Sequence, residues 1–216
     1  MENEGVVVEL VLNLLGIPPL NKIRNLSEKS KRKTKVTLIR KDKKPVNITE
    51  VLRKLENIVD IEETKEVVNE VKELYPITIV QGLYEGRIII YGDMPGLLTH
   101  VFSEIIALAN GLLDCEVPKR IVEELNKKLS DIRLNVQIFV VPGMPCVKAC
   151  HMFAHIALAL KNLRVEIIDA NSHSEYFEER SNGALPLIIV NDDAKKTGSP
   201  WSYKEIKELL EKSVRS

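Results

Sequence analysis

Polar and apolar positions alternate along residues 35–40, Lys-Val-Thr-Leu-Ile-Arg, which is the period of a strand with one buried face. Past a polar interval, Val51, Leu52, Leu55 and Ile58 recur at helical spacing and predict a helix over 48–58. A weak strand near Val59-Asp60-Ile61 and a second helix over 62–74 come next, then a strand over 76–80 headed by Pro76. A turn at 84–86, a strand over 87–91 and a helix over 95–110 complete this set. Ahead of it, residues 6–15 read as a helix stopped by Gly16 and Pro18-Pro19, and a short helix and a basic run over 29–35 lead into the first strand.

Residues 111–117 break the pattern, and Pro118 opens a charged amphipathic helix reaching about 131, with Ile121, Val122, Leu125 and Leu129 on one side. The order then restarts. A strand over 136–141, a long helix to 160, a strand over 164–169 and a short helix over 174–180 are followed by a strand over 186–190 and a last helix over 203–212. Asp192 to Pro200 is polar and gives little sign of a further strand. The two stretches Leu-Tyr-Pro76-Ile-Thr-Ile-Val and Ala-Leu-Pro186-Leu-Ile-Ile-Val place a proline at the head of an apolar strand. One such proline is ordinary, because the first residue of a strand tolerates a missing N–H. Two at matching places mark a repeat. The reading is therefore α/β, with a helical extension over 1–34, a first unit over 35–117 and a second over 118–216.

Composition narrows the functions. With 31 basic and 31 acidic residues among 216, the chain has no charge excess to suggest a nucleic-acid partner. No apolar run has the roughly 18 residues of a membrane span. Glu2, Glu4 and Glu9 stand where a secretory leader would be basic, so a soluble cytoplasmic protein is expected. Abundant Lys, Glu, Ile and Val with two Gln suggest a thermophilic source. No phosphate-cradling glycine loop or serine-hydrolase elbow is present.

The chemistry concentrates in Pro145-Cys146-Val147-Lys148-Ala149-Cys150-His151, where the apolar strand passes through Pro-Gly-Met-Pro into a helix. A helix start favours an anion, and the thiolate is the reactive form of cysteine, so Cys146 is the candidate nucleophile. Cys150 lies one turn on, with its Cα about 6 Å away if both are helical, which is within disulfide range. Lys148 and His151 are close enough in sequence to support a thiolate. Cys146 should be the more exposed and more ionised of the pair, with Cys150 tucked against Phe153 and Ala154. An alternative is a copper or zinc site using Cys146, Cys150, His151 and His155. Opposing it, the two histidines share a helix face about 100° round from Cys150, and each alone reads as a surface or half-buried polar residue. Cys115 reads as a lone small hydrophobe or linker thiol, Trp201 as packing beside the last helix, and His100 and His173 receive no role.

The tandem units, the cysteine pair opening the second unit's first helix and the two strand-leading prolines resemble the glutaredoxin-like protein disulfide oxidoreductases of thermophilic archaea, which are two fused thioredoxin folds. The N-terminal domain of the flavoprotein subunit of alkyl hydroperoxide reductase is similar, including a first unit without cysteines. The resemblance covers about 35–212 and implies two thioredoxin-like units, each a central mixed sheet flanked by helices. It implies Cys146 as attacking thiol, Cys150 as resolving thiol and Pro186 as a cis-proline facing them, with Pro76 as counterpart. Leu185 would pair its backbone with a bound peptide. The implied activity is thiol–disulfide exchange on disulfide-containing proteins without a bound cofactor, with a thioredoxin-reductase-like flavoenzyme as electron donor. The chain departs from the family in spacing its cysteines by three residues instead of two, and in carrying Lys41 to Pro45 where active members have a second pair. A redox-inactive scaffold presenting a groove is the remaining alternative.

Overall fold

The computed structural model describes residues 2–41, 46–66, 71–81 and 87–214. Helices α1 (Glu2–Leu15) and α2 (Leu20–Ser27) precede β1 (Thr34–Ile39), α3 (Asn47–Lys54), β2 (Val59–Thr64), β3 (Ile77–Gln81), β4 (Arg87–Tyr91) and α4 (Leu98–Asn110). After α5 (Lys119–Lys128) come β5 (Leu134–Val140), α6 (Met144–Ala159), β6 (Leu163–Asp169), α7 (Ser174–Glu178), β7 (Leu187–Val190), β8 (Ala194–Thr197) and α8 (Tyr203–Lys212).

All eight strands form one mixed sheet in the order β2-β1-β3-β4-β6-β5-β7-β8. The two halves of that list have the same plan. β1 pairs parallel with β2 and antiparallel with β3, as β5 pairs parallel with β6 and antiparallel with β7, and each half ends in an antiparallel hairpin partner, β4 or β8. The halves meet where β4 runs parallel to β6, with Ile88 opposite Val165 and Ile90 opposite Ile167. The inner strands are mostly buried along their whole length, as expected of a sheet covered on both sides, whereas the edge strands β2 and β8 are largely exposed. The larger core, under α2, α3, α4 and α6, includes Val36, Ile88, Phe102, Phe153 and Val165, and a smaller cluster around Tyr91, Phe139 and Ile168 lies on the opposite face.

The repeat extends to backbone detail. Both Tyr75–Pro76 and Leu185–Pro186 are cis, and each proline carbonyl accepts a hydrogen bond from a left-handed glycine, Gly92 at 2.8 Å and Gly198 at 2.9 Å.

Three expectations need correction. Residues 62–74 do not form a helix: Glu62 to Thr64 continue β2 along β1, 71–76 are not helical, and 67–70 lie outside the described residues. The helix predicted over 48–58 is α3, which stops at Lys54 and gives way to a turn. Strand β8 is present in the polar stretch where little sign of it was read. The turn at 84–86, and Asp42 to Pro45, where a second cysteine pair would stand, lie outside the described residues. Among the described residues no single helix is long and apolar enough to cross a membrane.

Candidate functional site

Strand β5 ends at Val140, and Gly143, extended at φ −138° and ψ 152°, caps α6 with Pro145 in its first turn. Proline fits there because the first N–H groups of a helix have no intrahelical partner. Cys146 follows in the same turn and Cys150 one turn later. Phe139 of β5 lies opposite Leu187 of β7, so the cis Leu185–Pro186 bond stands at the end of the sheet from which α6 departs. Leu185 is half-buried and packs against the core that contains both thiols.

Both thiols are reduced and both are buried, Cys146 at 2% exposure and Cys150 at 0%. Burial pushes the Cys146 thiol above its ordinary value, and a hydrogen bond with the Val141 backbone only partly opposes it. Cys150 is pushed up much further, first by burial and then by the Cys146 charge. Cys146 is therefore the less strongly raised of the two, but it is not open to solvent, and burial outweighs what favours its charged form. Lys148 and His151 do not turn to it: the Lys148 amine lies 4.9 Å from the centre of the Trp201 ring, and His151 bonds elsewhere. Trp201 is 84% exposed, contrary to the expected packing role, and the Lys148 amine of α6 lies over its ring. Cys115 is exposed, with its Sγ donating to the His155 carbonyl at 3.2 Å.

His151 and His155 are not surface residues. They are 4% and 2% exposed and lie against α4, where a buried carboxylate, Glu104, meets them. His151 Nδ1 is 2.9 Å from Glu104 Oε2, His155 Nε2 is 3.5 Å from Oε1, and His151 Nε2 is 3.4 Å from Glu116 Oε2. Burial alone would raise Glu104, but hydrogen bonds from His151 and His155 outweigh it and hold the carboxyl below its ordinary value. Burial would likewise lower His151, and the bonds and charges of Glu104 and Glu116 reverse that. Neither thiol joins the group in which these ligand atoms converge. Sequence reading missed Glu104, although a single acid inside the apolar helix Leu98–Asn110 is a signal, since acids are almost never fully buried without a partner. His100, given no role, accepts the Leu20 N–H at Nδ1 and ties α2 to α4.

In the first half the equivalent helix start is filled differently. The Asp93 carboxylate accepts the N–H groups of Asn47 and Ile48 at 3.0 and 3.2 Å, satisfying the donors that open α3.

Two half-sheets of matching order, each with a cis-proline at the head of its third strand, define a thioredoxin-like fold in tandem. The chain is correspondingly similar to the N-terminal domain of the alkyl hydroperoxide reductase AhpF from Enterococcus faecalis, with TM-score 0.71 and 16% identity over 88% of this chain and 97% of that one. It is also similar to a protein disulfide oxidoreductase from Aeropyrum pernix, with TM-score 0.67 and 14% identity over 91% and 92% of the two chains. A third likeness is to Sso1120 from Sulfolobus solfataricus, with TM-score 0.58 and 19% identity over 81% and 94%. No family model matches the sequence, and no curated protein matches it.

Proposed function

We propose that the chain is a thiol–disulfide oxidoreductase acting on protein disulfides through Cys146 and Cys150, with 35–117 as a unit lacking thiol chemistry and 118–216 as the unit that performs it. The observation that carries this reading is the pair of thiols on successive turns opening α6, at the sheet end where the cis Leu185–Pro186 bond begins β7. Cys146, once deprotonated, attacks a sulfur of the substrate disulfide; the S–S bond breaks, a mixed disulfide forms and the first substrate thiolate leaves. Cys150 then loses its proton and attacks the Cys146 sulfur, releasing the second substrate thiol and leaving a Cys146–Cys150 disulfide. A dithiol-bearing flavoenzyme of the thioredoxin-reductase class, acting in the cytoplasm, would return the two electrons. Leu185, beside the cis-proline, would offer its backbone to the substrate chain.

The test is reduction of a disulfide-containing protein under a dithiol donor. Cys146→Ser should lose activity entirely, whereas Cys150→Ser should accumulate a mixed disulfide in which substrate remains attached to Cys146. Full activity in Cys146→Ser would overturn the assignment. The deep burial of both thiols favours one other reading, a scaffold that presents the groove without exchange, and an inactive native chain across several disulfide substrates would select it.

A further inference from the structure

The cluster where α4 crosses α6 is not used by thiol exchange. A carboxylate oxygen of Glu104 and one ring nitrogen each of His151 and His155 lie within 4.8 Å of one another, all on buried residues. Ligand atoms about 2.1 Å from a tetrahedral ion stand roughly 3.4 Å apart, and from the one oxygen Oε1 of Glu104 the separations are 3.1 Å to His151 Nδ1 and 3.5 Å to His155 Nε2, which bracket that spacing. Two imidazoles and a carboxylate suit a borderline divalent ion and not the soft ions that select thiolates. We propose that Glu104, His151 and His155 form a binding site for a divalent transition ion of the zinc or cobalt class, separate from the cysteine pair.

The surroundings are those of a ligand set as well. If His151 binds through Nδ1, its Nε2–H is left facing the Glu116 carboxylate at 3.4 Å, an outer partner of the kind that orients a metal-bound histidine. The Glu116 side chain is 49% exposed, so this edge of the cluster borders solvent, the side from which an ion would approach. One contact must change on loading. His155 Nδ1 accepts the Glu116 N–H at 3.1 Å, so without an ion its proton sits on Nε2, facing Glu104. For Nε2 to bind, that proton moves to Nδ1 and the Glu116 amide turns away, while His151 gives up its Nδ1 proton to solvent. The ion thus takes the place of the protons that now bridge the three side chains, and the segment around Cys115 and Glu116 shifts with it.

The experiment is titration of the reduced chain with Co²⁺, read by equilibrium dialysis and by the visible spectrum. About one ion per chain should bind without a sulfur-to-cobalt charge-transfer band, and the triple variant Cys115→Ser/Cys146→Ser/Cys150→Ser should bind equally well. Glu104→Gln should weaken binding at least 100-fold, and the exposed change Glu116→Gln, which leaves the packing intact, about tenfold. The proposal fails if the native chain shows no saturable binding, or if binding disappears in the triple cysteine variant and persists in Glu104→Gln. In either failure the cluster is a hydrogen-bonded clamp between α4 and α6 and nothing more.

Discussion

Cys146 shows two opposed effects acting on one side chain. A thiolate in the first turn of a helix gains about 0.3–1 kcal/mol from the helix dipole, which corresponds to less than one pKa unit. Burial at 2% exposure removes water from the charged form, and the net direction is upward. The sequence displayed the first effect and hid the second, because the helix start is visible in Pro145 but the core that encloses Cys146 is assembled from residues across both halves of the chain. Alkylation of the reduced chain with iodoacetamide should accordingly label exposed Cys115 first, Cys146 slowly and Cys150 last. The Cys146 rate should climb about tenfold per pH unit from neutrality, since only the thiolate reacts and its fraction grows in that proportion below the pKa. A rate already flat at pH 7 would mean that Cys146 is ionised and that its helix start outweighs burial.

At the scale of elements, capping and pairing decide which sequence signals survive. Helix α3 begins without a cap from its own N-cap residue, Val46, and takes its acceptor from Asp93, 46 positions on from Asn47. Asp93→Ala should lower stability by about 1–2 kcal/mol, the usual loss for an N-cap acceptor, measured as a shift of the urea midpoint. An unchanged midpoint would show that water replaces the carboxylate at no cost. Strongly periodic elements were legible: β4 and α8 have the bounds their patterns predict, because their apolar positions are the buried ones, Ile88 to Ile90 and Ile206 with Leu210. The edges were not. Glu62, Glu63 and Thr64 have the composition of a helix, yet they pair with Thr37, Leu38 and Ile39, and Lys35 and Arg40 bind the exposed acids. A charged outer strand is a protected edge, and its sequence loses the alternation that marks inner strands. Strand β8, Ala-Lys-Lys-Thr, is the opposite edge and was obscured in the same way, although Asn191 and Asp192, both left-handed at φ 50° and 63°, are residue types that turn a hairpin. For the site, the cysteines and prolines could be read locally, while Glu104 required knowing that α4 lies on α6.

The whole molecule depends on the seam between β4 and β6, which makes one sheet of two repeats. Glu166 of β6 is fully buried there and is held by Lys72 at 2.5 Å from the first half, by Arg164 at 2.6 Å and by Gln137 of β5 at 3.0 Å, so its charge is compensated from both sides of the joint. Just past the end of β4, Gly92 has φ 94°, and a Cβ built on it would stand 2.7 Å from the Asp169 Cβ at the end of β6. The glycine is thus required twice, for its left-handed backbone and for the close approach of the two strand ends. Gly183 separates these requirements, because its φ of 93° is almost the same and nothing lies within 4 Å of its Cβ position. Gly183→Ala should lose only the left-handed cost of about 1–2 kcal/mol. Gly92→Ala should lose that and a further 1–3 kcal/mol or so of overpacking at the seam, because Asp169 is fixed by its place in the sheet and backbone must move. Equilibrium urea unfolding of both variants isolates the seam contribution as their difference. Equal losses would mean that the strand ends part without resistance and that the two halves of the sheet are less firmly joined than their pairing suggests.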